Sequence, residues 1–289
     1  MTKPLTLLQV HAHPDDEASK AAATNARYAA EGVRTVLVTC TGGEAGDILN
    51  PAEDRPEVRE NLPAVRRREL DRSIEILGYA ALHLLGFRDS GMPDSEHNRH
   101  PDNLWNAPFD EALGKLVAIV RSERPEVVLG YDEDHSGYPH PDHIRAQELA
   151  FAVVDAAADP SRYPEAGEPW QVRKLYAMGW TRRRVAALHD QIVAQGGDAS
   201  FYAARLEGWD PAKDAPYTTR IHIGDYLKHR SEALRAHATQ VAPDSVFFAV
   251  DDDTLARIYP YEDYRLVRSA VDVVRNAEGV EEDLFSGLR

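Results

Sequence analysis

The segment from Val10 to Glu17 carries two histidines and three carboxylates. It follows the apolar run 5–10, which predicts a buried first strand, and it precedes residues 18–31, which predict a helix. Its polar side chains are therefore expected at the carboxyl end of a strand, where open α/β sheets bind ligands. Imidazole nitrogens and carboxylate oxygens suit Zn²⁺ or a similar divalent metal ion, so the segment predicts a metal site.

The same segment also allows a structural interpretation. His11 or His13 could be a hydrogen-bonded core histidine, and Asp15 or Asp16 could cap the following helix. We favour the metal site, because five side chains that can bind a metal are concentrated in one turn.

A second polar cluster, residues 131–143, follows another predicted strand, residues 125–131. It holds three histidines and four acids, which is more than a solvent-facing loop requires, and two prolines stiffen it. Asp142 is placed to cap the helix predicted for residues 144–157. The cluster predicts a metal-binding or catalytic role.

Together the two clusters predict a catalytic metal centre. His13 and Asp16 stand three residues apart, and His143 lies far along the chain. Two closely spaced ligands and a distant third are typical of catalytic zinc sites, which leave the fourth position to water. Asp15 is expected to point away from Asp16 and to act as the general base for that water. Fe²⁺ would accept the same ligands.

Three further side chains are candidates for the chemistry. His140 is predicted to act as an acid or as a partner of the oxyanion, and Asp142 to hold His140 in one tautomer. Tyr138 supplies a hydroxyl donor for the same developing charge. The constellation fits metal-assisted attack of water on a carbonyl, most simply that of an amide. The residues leave open whether the substrate is an amide, an ester or another hydrolysable group.

These side chains require a scaffold that brings the ends of strands together. Residues 33–40 predict a second strand, so residues 5–40 form a strand–helix–strand unit with two parallel strands. Further strands are predicted at 81–85, 125–131 and 172–180, followed mostly by helices. The predicted fold class is α/β: a Rossmann-like, mostly parallel sheet with helices on both faces and a smaller, mostly helical C-terminal portion.

We predict two portions within this fold. Residues 1–170 would form the metal-binding α/β catalytic core, and residues 171–289 would complete the fold and the substrate pocket. The boundary follows a change in composition at residues 160–169, which include three prolines.

Composition excludes several classes of function. Asp and Glu number 48 against 33 Lys and Arg, and this net charge of −15 argues against nucleic acid or an anionic membrane as a partner. Cys40 is the single cysteine, so the chain has no internal disulfide and no thiolate-rich zinc site. No apolar run approaches the roughly 20 residues of a membrane helix, and residues 1–4 fit no signal peptide. We expect a soluble, cytoplasmic protein, whose oligomeric state the sequence leaves open.

The two clusters resemble the signature of the LmbE/PIG-L family of metal-dependent deacetylases, a Pro-Asp-Asp-Glu turn and a distant His-Pro-Asp-His. The matching stretches are residues 13–17 and 140–143. Family members that act on glucosaminyl-inositol compounds of actinobacteria look most similar. They share further stretches with this chain, at 41–44, 66–69, 89–91 and 237–241. The resemblance covers nearly the whole chain.

Within that group the chain resembles the amidase branch more than the deacetylase branch. The similarity lies in Ser19-Lys20, Gly86-Phe87, Tyr138-Pro139-His140, Trp209-Asp210-Pro211 and residues 48–51. It implies a zinc-dependent amidase that hydrolyses the amide between the S-conjugated cysteinyl group and the glucosaminyl-inositol of mycothiol conjugates. The partner would then be a small thiol–sugar conjugate. The alternatives are an N-acetylglucosaminyl-inositol deacetylase and a specialised biosynthetic paralogue.

The resemblance implies the same metal ligands, base, acid and oxyanion donor as the residues themselves, and it adds substrate contacts. Arg66 and Asp89 match positions that hold inositol or sugar hydroxyls. Lys20 is the candidate for the cysteinyl part of the substrate. One departure is the loop 134–137, which makes the segment before Tyr138 one residue longer than the amidase pattern.

Overall fold

The structure, a computed structural model, describes residues 4–135, 137–214 and 216–289. Residues 1–3, on which the expectation about a signal peptide depends, lie outside the described residues. The same holds for Ser136, which belongs to the lengthened loop before Tyr138, and for Ala215. No helix within the described ranges is both long and apolar enough to cross a membrane.

A single mixed sheet of seven strands organises the described chain. The strands are Thr6–His11 (β1), Arg34–Thr41 (β2), Ala81–Phe87 (β3), Val127–Tyr131 (β4), Lys174–Gly179 (β5), Thr219–His222 (β6) and Tyr261–Ser269 (β7). Their spatial order is β3-β2-β1-β4-β5-β7-β6. Strands β1 to β5 pair in parallel, whereas β7 is antiparallel to both β5 and β6. The predicted α/β class with a mostly parallel sheet is confirmed.

Helices connect the strands. They are Asp16–Ser19 (α1), Ala22–Ala30 (α2), Pro56–Arg59 (α3), Leu62–Leu77 (α4), Phe109–Glu123 (α5), Pro141–Ala158 (α6), Arg182–Ala194 (α7), Ser200–Leu206 (α8), Leu227–Ala236 (α9) and Asp252–Ile258 (α10). Helices α2, α4 and α9 contact one another, and α5 contacts α6. The connections through α2 and α5 run in opposite directions across the sheet, so right-handed crossovers place these helices on opposite faces.

The central strands are buried on both sides. Every residue of β1 and β4 is buried, and β2 is buried from its second residue onward. Near-continuous apolar strands of this kind are typical of parallel sheets covered by helices on both faces. Leu7, Leu8 and Val10 are fully buried, and each contributes roughly 1.5–3 kcal/mol through burial.

Strand β1 is the point at which the strand order reverses. Its neighbours are β2 on one side and β4 on the other, so the chain winds away from β1 in both directions. In such sheets a crevice opens beyond the carboxyl ends of the two central strands, and ligands bind there. The turn at residues 12–15 follows β1, and residues 132–140 follow β4, so both polar clusters lie at this crevice.

Two elements differ from the sequence expectations. The helix expected over residues 18–31 is divided into α1 and α2, because the two residues between them are not helical: Lys20 is extended, with φ −133°, and Ala21 is left-handed, with φ 57°. Strand β7 was not predicted, since its charged residues Glu262 and Asp263 are buried and hide the apolar pattern of a strand. Strands β5 to β7 complete the sheet begun by β1 to β4. The division into portions at residue 170 stays a prediction.

Candidate metal centre

The chain leaves β1 at His11 and turns sharply before α1. Asp15, the residue before α1, has φ 112°, a conformation that residues other than glycine rarely adopt. Such strain costs about 1–3 kcal/mol and persists where surrounding contacts hold it. Here Arg66, from α4, donates to the carbonyl oxygen of Pro14 at 2.6 Å and to Asp15 Oδ2 at 3.2 Å. The strained backbone thus carries the side chain that we predict to be the base.

The predicted metal ligands His13, Asp16 and His143 come together. Asp16 Oδ2 lies 3.5 Å from His13 Nδ1 and 3.4 Å from His143 Nε2. One donor atom of each residue lies within 4.8 Å of the others, and all three residues are buried. The turn after β1, the start of α1 and the first turn of α6 supply them. The two sequence clusters therefore form one site, which could hold a metal ion.

The donor set fits a divalent metal ion. Burial lowers the pKa of His143 to about 3 although Asp16 opposes the shift, so its ring is neutral and offers a lone pair. Burial also disfavours a charge on His13, but Asp142, Asp16 and Asp89 raise the pKa of that ring well above its ordinary value. Three buried carboxylates thus favour a positive charge at the His13 ring. A metal ion bound at this position would provide that charge.

Two side chains hold Asp16 in place. The hydroxyl of Tyr131, the last residue of β4, donates to Asp16 Oδ2 at 2.8 Å and accepts from the backbone N–H of Ala12 at 2.8 Å. The ammonium of Lys20 donates to Asp16 Oδ1 at 2.7 Å. Lys20 thus contacts a predicted metal ligand and also lines the cavity described below. Its contact with substrate stays a prediction.

The second ring nitrogen of His13 faces two other carboxylates. His13 Nε2 lies 3.2 Å from Asp142 Oδ2 and 3.6 Å from Asp89 Oδ1. Ser90 donates to Asp142 through its backbone N–H at 2.9 Å and through its hydroxyl. A carboxylate behind a ligating histidine fixes the tautomer and the orientation of the ring. His13, Asp89, His140 and Asp142 also form a second group whose donor atoms lie within 4.8 Å of one another.

His140 precedes α6 and lies at the edge of this second group. Its Nδ1 accepts from the backbone N–H of Asp142 at 3.2 Å, and its Nε2 lies 4.0 Å from Asp89 Oδ1. The support that Asp142 gives to His140 is therefore through the backbone, while the Asp142 carboxylate contacts His13. Burial and the neighbouring His13 lower the pKa of His140. The catalytic roles of His140 and Asp142 stay predictions.

Tyr138 covers the site from the solvent side. Its side chain is half exposed, and its ring centre lies 5.8 Å from that of His140 and 5.0 Å from that of His143. The hydroxyl therefore has room to meet a substrate beside both rings. Its role as an oxyanion donor stays a prediction.

Arg66 is the buried member of the row of three arginines, whereas Arg67 and Arg68 are exposed. Besides the turn after β1, it contacts the glycine-rich loop after β2, residues 42–47, by donating to the carbonyl oxygen of Gly43 at 2.6 Å. Gly43 has φ 71°, and a Cβ there would lie 2.3 Å from Arg66 Nη1. Glycine therefore permits the close approach. Arg66 ties the two loops together, and its contact with sugar hydroxyls stays a prediction, as does that of Asp89.

The cluster opens into a cavity of about 1500 Å³. The glycine-rich loop forms a wall of this cavity through Ala45 and Gly46. Helices α7 and α8 form another part of the lining. The predicted site residues that line it are His13, Asp15, Asp16, Lys20, Arg66, Asp89, Tyr138, His140 and His143. Asp142 is fully buried behind His13.

Comparison with known proteins identifies the family of the chain. Residues 8–154 match the model of the GlcNAc-PI de-N-acetylase family, PIG-L. The chain belongs to the PIG-L family. The matched residues contain every predicted metal ligand and catalytic residue, together with most of β1 and the whole of β2 to β4.

Two curated relatives extend the similarity to the whole chain. The mycothiol S-conjugate amidase of Streptomyces coelicolor is 41% identical over 297 residues, which cover 100% of this chain and 99% of the relative. The 1D-myo-inositol 2-acetamido-2-deoxy-alpha-D-glucopyranoside deacetylase of Geodermatophilus obscurus is 39% identical over 301 residues, which cover 100% and 99%. The PIG-L protein described here is thus an enzyme, an amide hydrolase of the amidase and deacetylase type. The predicted family and enzyme class are confirmed.

Solved structures support the fold. The N,N'-diacetylchitobiose deacetylase from Pyrococcus horikoshii matches with a TM-score of 0.62 at 19% identity and covers 91% of this chain and 83% of its own. The conserved protein TT1542 from Thermus thermophilus matches with a TM-score of 0.60 at 23% identity, covering 94% and 100%.

Sequence reasoning missed residues that support the PIG-L site from behind. Glu17 Oε2 accepts from the backbone N–H of Asp15 at 2.9 Å, and His237 Nε2 lies 2.6 Å from Glu17 Oε1. Ser73 donates to the same oxygen, so α4 and the end of α9 both brace the strained turn. Tyr131 and Ser90 were also missed as supports. The stretch 237–241 was noted as a family motif, but its spacing gives no sign of contact with Glu17.

Proposed function

We propose that this PIG-L enzyme is a zinc-dependent amidase, which hydrolyses the amide between the cysteinyl group and the glucosamine of S-conjugated mycothiol. The observation that carries the proposal is the cavity. Its volume of about 1500 Å³ exceeds the roughly 300–1,000 Å³ that accommodates drug-sized ligands. An acetyl group would occupy a small part of that space, whereas a substituted cysteinyl group beside a disaccharide-like unit would use much more of it.

The relatives support the chemistry without selecting the acyl group. An amidase and a deacetylase are similar to this chain at 41% and 39% identity, each along the full length. Both activities break an amide on a glucosamine nitrogen, so the same catalytic residues serve either substrate. The choice between them depends on the cavity beyond the metal centre.

Zinc is the metal that we propose, with His13, Asp16 and His143 as its ligands and Fe²⁺ as the alternative. When bound, such an ion polarises the scissile carbonyl and makes a bound water more acidic. Asp142 and Tyr131 keep the ligands oriented from behind, through His13 and Asp16 respectively.

In the proposed mechanism Asp15 takes a proton from the attacking water, because its carboxylate is next to the ligands and Arg66 holds it there. Tyr138 donates a hydrogen bond to the carbonyl oxygen as that atom gains negative charge. His140 acts on the opposite side as the general acid for the leaving glucosamine nitrogen or as an electrostatic partner. The products are a free amine on the sugar and a carboxylate on the cysteinyl fragment.

Three side chains are proposed to hold the substrate. Arg66 and Asp89 bind inositol or sugar hydroxyls, and Lys20 contacts the cysteinyl part. All three line the cavity beside the metal cluster, which supports these assignments.

The decisive experiment is an amine-release assay with zinc-loaded protein. It compares a mycothiol S-conjugate with N-acetylglucosaminyl-inositol at matched concentrations. A higher kcat/KM for the conjugate is expected. A preference for the acetylated sugar would establish the second candidate, the deacetylase, which the 39% identical relative favours. Turnover of neither substrate, with zinc bound, would support a specialised paralogue, for which the lengthened loop before Tyr138 is the motivating feature.

A further inference from the structure

Three arginines meet at the end of the cavity formed by α7, α8 and α9. They are Arg184, Arg205 and Arg230, one from each helix. Arg184 and Arg205 lie 5.4 Å and 5.7 Å from the ring centre of Trp180, and burial raises the pKa of Tyr202 while all three arginines oppose that shift. Arg184 and Arg205 line the cavity together with Trp180 and Phe201. A local excess of positive charge is unexpected in a chain whose net charge is −15.

Two of these arginines are buried without an anionic partner. Arg184 is 6% exposed and Arg230 is 5% exposed. The Nε atom of each is buried without a hydrogen-bond partner. Neither guanidinium forms an ion pair within 4.0 Å or donates a hydrogen bond to any residue that the structure describes. Burial, and after it repulsion from the nearby Arg184, lower the pKa of Arg230 to about 10.

Aromatic rings are the contacts that these arginines do make. The guanidinium of Arg184 lies 5.4 Å from the ring centre of Trp180, and that of Arg230 lies 5.7 Å from Phe247. Arg205 lies over Phe201 at 3.7 Å. Such contacts orient a guanidinium but leave its N–H groups available for an anion.

The neighbouring carboxylates are already engaged elsewhere. Glu262 faces the same cavity, but its Oε2 accepts from the backbone N–H of Thr24 at 3.0 Å and from the hydroxyl of Tyr264 at 3.2 Å. Asp252, which also acts on Arg230, accepts from the hydroxyl of Ser231 at 2.6 Å. Both carboxylates attract Arg230 through space, but among the described residues neither forms an ion pair with Arg184 or Arg230. A buried guanidinium without a direct ion pair is costly, so an anion that contacts Arg184 would stabilise this arrangement.

We propose that Arg184, supported by Arg205 and Arg230, binds an anionic group of the carboxylate class on the part of the substrate that is attached to sulfur. This inference rests on the proposed function. The glucosaminyl-inositol part carries hydroxyls and no anion, so the variable group on sulfur is where a charge can be. Trp180 and Phe201 would pack against the apolar part of that group, and the planar fork of Arg184 matches a carboxylate with two parallel hydrogen bonds.

Binding of two matched probes tests the site independently of catalysis. The probes are S-(4-carboxybenzyl)-N-acetylcysteinamide and S-benzyl-N-acetylcysteinamide, which differ only in the distal carboxylate. Calorimetric titration of the zinc-loaded wild-type protein is expected to give at least about 10-fold tighter binding of the carboxylated probe, because charge-assisted hydrogen bonds favour it. Arg184→Gln is expected to reduce this ratio to about 1.

Arg183→Gln is the matched control, since Arg183 is an exposed neighbour on α7 and the substitution removes the same charge. It should leave the ratio unchanged. Arg205→Gln, at a less buried position, should lower the ratio and gives a second variant if Arg184→Gln fails to fold. Equal affinity of the wild-type protein for the two probes would overturn the proposal, and so would an undiminished ratio in Arg184→Gln.

Two further measurements complete the test. One distinguishes a substrate carboxylate from a free anion, and the other distinguishes failure of this proposal from failure of the proposed function. Inorganic phosphate is titrated alone; phosphate binding that depends on Arg184, without discrimination between the probes, would overturn the assignment to a substrate group. The corresponding pair of mycothiol conjugates is then tested for turnover, with a preference for the carboxylated conjugate expected. If neither conjugate is hydrolysed, the proposed function fails, while probe binding still decides the arginine site.

Discussion

The carboxylate of Asp15, the proposed general base, lies next to the cluster of proposed metal ligands but outside it. Burial raises its pKa, while Arg66 at 3.2 Å opposes that shift. We expect Asp15→Asn to lower kcat about 10²–10⁴-fold, because the amide cannot take a proton from water. Asparagine tolerates the left-handed backbone at this position, so the turn should persist. Amine release and zinc content, measured on the same preparation, check the prediction.

Asp244→Asn is the control for Asp15→Asn, because Asp244 is exposed and the substitution removes the same charge. It should retain wild-type turnover. Full activity of Asp15→Asn with unchanged zinc content would remove Asp15 from the mechanism. Loss of zinc in that variant would instead show that Asp15 takes part in metal binding.

The contact between Asp142 and His13 leads to a different expectation. Its carboxylate oxygen lies 3.2 Å from His13 Nε2, so Asp142→Asn would weaken the orientation of the ring of this proposed metal ligand. We expect the affinity for zinc to fall about 10–100-fold, as it does when partners of ligating histidines are changed. Competition with a chromophoric chelator measures this affinity. Asp253→Asn, also in the first turn of a helix, is the matched control, and equal affinities of the two variants would contradict the assignment.

At this scale the sequence predicted which residues meet but not how they pair. The spacing of His13, Asp16 and His143, with the clusters placed after two strands, was enough to predict one site. The choice of His13 rather than His140 as the partner of the Asp142 carboxylate depends on the entry angle of α6, which spacing does not encode. Tyr131 resembled a core strand residue, and its hydroxyl contact with Asp16 depends on the pairing of β4 with β1, which places the ends of the two strands side by side.

Among the secondary-structure elements, the end of α5 is joined to two strands by Glu123. Arg34, in β2, donates to Glu123 Oε2 at 2.9 Å, and His83 Nε2, in β3, lies 2.9 Å from Oε1. Burial favours the neutral acid, but His83 and Arg34 together lower the pKa of Glu123 below its ordinary 4.5. The charged form therefore stabilises the fold above pH 4.5, and this contribution is lost as the pH falls through the lowered pKa.

We accordingly expect Glu123→Gln to reduce the free energy of unfolding by about 1 kcal/mol at pH 7, and the difference from wild type to fade below pH 4.5. Urea unfolding at both pH values, with chelator present throughout, measures the difference without interference from the metal site. Glu111→Gln, on the exposed side of α5, should be nearly neutral at either pH. A loss that persists undiminished in acid would mean that packing, and not charge, is responsible.

The strands and helices were predictable where the sequence has one clear hydrophobic pattern. Strands β1, β2 and β4 are continuous apolar runs, and α4 and α5 have helical spacing that matches their observed bounds. The break between α1 and α2 was not predictable, because an alanine at φ 57° has no local signal. Strand β7 was hidden since Glu262 and Asp263 are buried in it, where Thr24, Thr181 and Tyr259 satisfy them.

For the molecule as a whole, the net charge does not reveal a local cluster of positive side chains. The net charge of −15 argues against polyanionic partners, yet one end of the cavity gathers three arginines. Their positions in the chain, on α7, α8 and α9, are too far apart for a sequence pattern to connect them. The fold places them together because α7 contacts α8 and both face the cavity. The net charge of the chain therefore does not describe the local charge that a substrate meets in the cavity.

The end of the chain returns to the sheet through a buried ion pair. Lys174 Nζ, at the start of β5, lies 2.6 Å from Glu281 Oε1, and both side chains are fully buried. The hydroxyls of Tyr176 and Thr219 donate to Glu281 Oε2, each at 2.8 Å. We expect Glu281→Ala to reduce the free energy of unfolding by about 3–5 kcal/mol, because an ammonium group would remain buried without its counter-charge. Urea unfolding with zinc bound measures this loss.

Glu282→Ala is the control, since this neighbouring acid is exposed, and it should change stability by less than about 0.5 kcal/mol. The double variant Lys174→Met with Glu281→Leu removes both charges and should lose much less stability than Glu281→Ala alone. Equal losses in the double and single variants would show that packing of the final segment, rather than charge compensation, holds it on β5. Either result separates the two forces that can attach residues 281–289 to the sheet.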